Sequence, residues 1–154
     1  MRVDLPMSVV DKALQHAAAP ATPVTVQEAI ASLLVAAITI DGEVNADEAV
    51  RIGGVLSTSH LLRQAGDGAM GALANRAITL LTEHGLPAIL TGCAKVIPSD
   101  LRPTVFALAT DLALADGRIG DREKAFIDEL QAVLRIDEAT AVKIVEVLLI
   151  KNRG

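Results

Sequence analysis

An eight-residue stretch occurs twice in this chain, 75 positions apart, and each copy interrupts an apolar, helix-forming run. Asp41-Gly42-Glu43-Val44-Asn45-Ala46-Asp47-Glu48 matches Asp116-Gly117-Arg118-Ile119-Gly120-Asp121-Arg122-Glu123. Asp, Gly, the branched aliphatic and the final Glu recur in register. The flanking runs match too: Ile30 answers to Val105, Leu33 to Leu108, Ile52 to Ile127 and Val55 to Leu130. A helix, an Asp-Gly corner and a second helix therefore occur twice. This predicts an all-α bundle of about seven helices with an internal pseudo-two-fold repeat, its halves at about 25–57 and 100–135.

The rest of the chain reads the same way. Residues 7–18 suit a first helix, ended by Pro20 and Pro23, so 1–24 forms an N-terminal helix and linker. Thr25-Val26-Gln27-Glu28 has capping-box form and opens a helix to about Ile40. That segment is apolar nearly all round, which marks it as central. Further helices are expected from Asn45, over 70–84 and over 87–97. Others follow over 100–115 with Ser99 as cap, over 121–134, and over 138–151 with Asp137 as cap. No segment alternates as a strand would. The 154 residues fall within the size of a single domain.

Composition narrows the function. Hydrophobic residues make up 51 % of the chain, yet its aromatics are only Phe106 and Phe126. Nucleic-acid binding needs a basic face or stacking platforms, and a net charge of −5 with scattered Lys and Arg offers neither. Cys93 stands alone, so it makes no disulfide within the chain and reads as a small buried hydrophobe. The longest near-apolar stretch, 30–40, is too short to span a bilayer, and no signal-peptide run opens the sequence. A cytoplasmic, soluble protein is the expectation.

The repeated acidic residues carry the chemistry. A helix corner accounts for Gly42 and Gly117 as stops, for Val44 and Ile119 as pins to the core, and for Glu48 and Glu123 as caps. It accounts poorly for the Asp, because a carboxylate after a helix C-terminus faces the negative end of the macrodipole. Two such Asp residues, each followed seven positions later by Glu, suit a hard cation, since calcium takes about six to eight oxygens. Asp41, Glu48, Asp116 and Glu123 are the candidate ligands. The spacing equals the second half of an EF-hand loop, but the first half is missing. One corner alone is therefore insufficient.

The paired motif, with Leu112-Ala113-Leu114-Ala115-Asp116-Gly117-Arg118-Ile119-Gly120-Asp121-Arg122-Glu123 its most typical part, resembles the TerB family of tellurite-resistance proteins from about Thr25 to Lys151. The resemblance implies an all-helical fold with an acidic surface that binds a divalent cation at the two motifs, with calcium one candidate. It also implies a non-enzymatic role in bacterial resistance to tellurite and related stress, alongside membrane partners. Glu43 and Asp47 add acidity to the first corner, where the second has Arg118 and Arg122.

An enzyme is the weaker reading. His16, His60 and His84 are far apart in sequence and form no zinc signature, and nothing resembles a nucleophile elbow or a phosphate loop. Asp111 reads as a solvated face residue. The remaining alternative is a structural adaptor without metal, acting through a homodimer or a partner protein.

Overall fold

The computed structural model of the chain describes residues 9–10, 25–40, 69–115 and 119–153. Within them the secondary structure is helical, with no strand: α1 Val26–Ile38, α2 Ala69–His84, α3 Leu86–Val96, α4 Arg102–Ala113, α5 Asp121–Leu134 and α6 Glu138–Lys151. Of the expected first helix only Val9 and Val10 are described, and both are helical. The helix expected from Asn45 lies outside the described residues.

Thr25 opens α1 by accepting the Glu28 N–H on Oγ1 at 3.1 Å. Nine consecutive residues of α1, from Ala29 to Ala37, are then buried. No helix with one solvent face could manage this. It is possible because α2, α3 and α4 all pack on α1. Five of the nine are Ala or Ser, small enough to let neighbouring backbones approach. Burying each of Ile30, Leu33, Leu34 and Val35 contributes about 1.5–3 kcal/mol. The hydroxyl of Ser32 is matched within the helix by the Glu28 carbonyl at 2.7 Å.

The other helices present stripes to this centre. In α4 the buried set is Val105, Phe106, Ala109, Thr110 and Ala113, and in α5 it is Phe126, Leu130 and Leu134. Both Phe rings, the chain's only aromatics, are fully buried, one on α4 and one on α5, which pack together. Buried Cys93 lies on α3, and burial pushes its thiol up to about 12. It therefore stays a neutral apolar group at physiological pH. Among the described helices, α6 lies at the edge: it buries only Ala141 and Leu148 and packs chiefly on α4.

The ends of the helices show what stops them. Gly85 separates α2 from α3 at φ 81, and its N–H returns to the Leu81 carbonyl at 2.9 Å. Arg102 braces the next junction: Nε donates to the Ile97 carbonyl at 3.1 Å and Nη2 to that of Ala94 at 2.8 Å. A cation thus satisfies carbonyls at the C-terminus of α3, where the macrodipole favours it. Ser99 does not cap α4. The N-cap is Leu101, with no side-chain bond, because residues 99–101 form a turn that delays the helix. Pro lies in its first turn, where its missing N–H costs nothing. Asp137 caps α6, accepting the Thr140 N–H at 2.9 Å.

Candidate functional site

The site begins where the two repeat helices stop. The last residues of α1 and α4, Ile38 and Ala113, are 75 positions apart, so the helical register repeats as the sequence does. These two helices pack directly on one another. The buried positions Ile30 and Val105 are equivalents, as are Leu34 and Ala109.

Each helix ends in a buried residue just short of its corner. Thr39 closes α1: its N–H and its hydroxyl both donate to the Val35 carbonyl, at 3.0 and 2.9 Å. Leu114 closes α4, its N–H donating to the Thr110 carbonyl at 3.0 Å, and Ala115 adds a bond to Leu112 at 3.3 Å. Asp41 and Asp116 each stand two positions after these caps. Asp41, Glu48 and Asp116 lie outside the described residues; Glu123 is the member of the set that is described.

Glu123 sits at the third position of α5. Its Oε2 accepts the Gly120 N–H at 3.1 Å, so it closes the start of the helix as the motif predicts. Only half of a capping box forms, since Gly120 has no side chain with which to return the bond. The carboxylate is part-exposed, and Oε1 has no partner among the described residues. Glu123 can therefore cap with one oxygen and still offer the other to a cation.

Ile119 departs from expectation. Instead of pinning the corner into the core it is 44 % exposed. It lines a groove of about 410 Å³ together with Leu114, Ile127 and Val142, rimmed by Lys124, Asp128 and Glu146. The reason is local: α5 starts immediately after Gly120, which leaves Ile119 on the open side between α5 and α6.

Asp111 is tied down more firmly than a solvated face residue. Lys151 Nζ donates to both of its oxygens at 3.1 Å, and Asn152 Nδ2 donates to Oδ1 at 2.8 Å. This cluster anchors the last turn of α6 to α4. Among the described residues no three His, Cys, Asp or Glu side chains converge as a metal-binding group. Of the three His residues only His84 is described, at the end of α2 with Glu83 3.8 Å away.

Sequence reasoning missed two polar features. Arg102 could have been suspected from a cation placed just after the α3 stop at Pro98. The orphaned Thr110 hydroxyl, buried without a hydrogen-bond partner, had no signal beyond a Thr inside an apolar run.

No described helix is long and apolar enough to cross a membrane. No curated protein and no solved structure matches the chain. The family model described as "Tellurite resistance protein TerB" matches residues 27–145, a span that contains α1 from its second residue, both Asp-Gly corners, Glu123 and the helices between them. The chain belongs to the TerB family.

Proposed function

We propose that this protein serves in resistance to tellurite and related stress by holding a divalent cation at its two acidic corners. Asp41, Glu48, Asp116 and Glu123 supply the oxygens, and the role is non-catalytic. The protein acts in the cytoplasm, with membrane-associated stress-response proteins as partners. The observation that carries this reading is the family match over residues 27–145, which spans both corners.

Physical chemistry supports it in three ways. The donor set is carboxylate oxygen alone, which suits calcium and other hard cations. The negative ends of α1 and α4 precede Asp41 and Asp116, so each free carboxylate is disfavoured there and a neighbouring cation is favoured. Glu123 keeps one oxygen clear of its capping bond.

The first corner is the stronger site in this account. Glu43 and Asp47 raise the negative potential around it, and Arg118 and Arg122 lower it around the second. Calorimetric titration of calcium into chelator-treated protein tests both claims. Wild type should bind, Asp41→Asn should lose more affinity than Asp116→Asn, and the Glu48→Gln, Glu123→Gln double variant should not bind. The reverse order for the two Asp variants would overturn the ranking. A wild type that takes up no divalent ion would overturn the reading.

A further inference from the structure

We infer that two copies of this chain pair through the outer face of α6, antiparallel, about a two-fold axis passing between Ile144 and Val145. The face is unusually apolar for one so exposed: Val142 is 47 % exposed, Val147 62 % and Ile150 73 %. A lone exposed aliphatic needs no explanation, but three within nine residues of one helix do.

What selects a second copy as the occupant is the order of residues along that face. In an antiparallel pair about this axis, each residue meets the one equally far on the other side. Lys143 then meets Glu146 of the second copy and the small Ala139 receives the protruding Ile150, while Val142 and Val147, about 140° apart around the helix, flank this seam on opposite sides. All six are exposed. Charge meets opposite charge and apolar meets apolar, and the symmetry makes each contact twice. Moving the axis by one residue breaks both the Lys143–Glu146 and the Ala139–Ile150 pairs. The pattern therefore specifies one register.

Electrostatics favour the same occupant. The whole chain carries −5, so two copies repel over most of their surfaces. This face holds Lys143 against Glu146 and is locally neutral, so contact here avoids that repulsion. A lipid surface would want cations dominating the polar positions, and they do not.

The test is sedimentation velocity and light scattering on the full chain across the micromolar range, with circular dichroism as a check on folding. Wild type should reach a dimer as concentration rises. K143E and E146K should each weaken it by about tenfold or more, because each creates two like-charge contacts. The K143E/E146K double variant restores the pairing and should recover to within about threefold of wild type. Ile150→Ser, which changes no charge, should also weaken the dimer and covers the case in which a charge variant fails to fold. A wild type that stays monomeric throughout would overturn the proposal, including one that instead binds anionic vesicles. So would a dimer indifferent to K143E, or a double variant no better than K143E alone.

Discussion

Glu123 Oε2 accepts the Gly120 N–H at 3.1 Å, and a Cβ added to Gly120 would come within 2.7 Å of that same oxygen. The glycine is what lets the carboxylate fold back over the start of α5. Gly120 sits at φ −88, so its value here is the missing side chain and not a left-handed backbone. Gly120→Ala should displace the Glu123 carboxylate and weaken the cap. Glu123→Ala should destabilise the protein by about 1 kcal/mol, with Glu123→Gln costing less because the amide oxygen still accepts. Thermal melts of the three variants, in chelator so that capping alone is read, check this order.

Thr110 is the one side chain among the described residues with a buried oxygen left without a partner. Its repeat equivalent in α1 is Val35, which fills the corresponding buried position with no polar atom. Thr110→Val keeps the shape and removes the unsatisfied hydroxyl. It should stabilise the fold by up to about 1 kcal/mol, seen as a rise in denaturation midpoint without a change in slope.

Arg135 ends α5 in the left-handed conformation, φ 55 and ψ 44. The Ile136 N–H reaches back to the Gln131 carbonyl at 3.1 Å, and buried Ile136 packs against the core, so the backbone is held in this shape. A side chain there costs about 1–2 kcal/mol, and glycine would escape it. Part of the gain is lost to the freer unfolded chain, so Arg135→Gly should stabilise by about 0.5–1 kcal/mol. Arg135→Ala should gain nothing, since alanine keeps the Cβ. Chemical denaturation of the pair separates backbone strain from loss of the guanidinium.

Asp137 has its carboxyl held below the ordinary 3.8 by bonds from the Thr140 N–H and hydroxyl. A depressed folded value means that the cap stabilises α6 fully above the unfolded carboxylate range. The contribution is lost as pH falls through the lower, folded value. Asp137→Asn should therefore flatten the acid limb of the stability curve while leaving neutral pH less affected. An unchanged acid limb in the variant would contradict the assignment.

Much of the fold was legible because local signals agree with one another. The Thr25 cap, the Gly85 stop and the Asp137 cap are all where residue chemistry puts them, and the all-round apolar run of α1 does occupy the centre. The start of α4 was misread because Ser99 is a good cap by type, yet the turn at 99–101 places Leu101 at the helix boundary. Ile119 was misread for a different reason. Apolar character marks a residue as fit for the core, but its direction depends on how α5 and α6 meet, which no local pattern encodes. At the site, Glu123 in its capping position was readable from spacing alone. Tertiary links such as Lys151 with Asp111, 40 residues apart, were not, because periodicity carries no information on which helices become neighbours.

The most direct test of the central claim, that the paired acidic corners hold a divalent cation, is the thermal melt of the wild-type chain in chelator and at rising free calcium. A ligand that binds only the native state raises the midpoint by mass action, so the shift should grow with the logarithm of free calcium once the site is saturated. The Glu48→Gln, Glu123→Gln double variant should show no such shift. In chelator it should stay close to wild type, because Gln still accepts the capping bond and the two corners carry two fewer like charges. A wild-type melting temperature that ignores calcium and every other divalent ion would contradict the account.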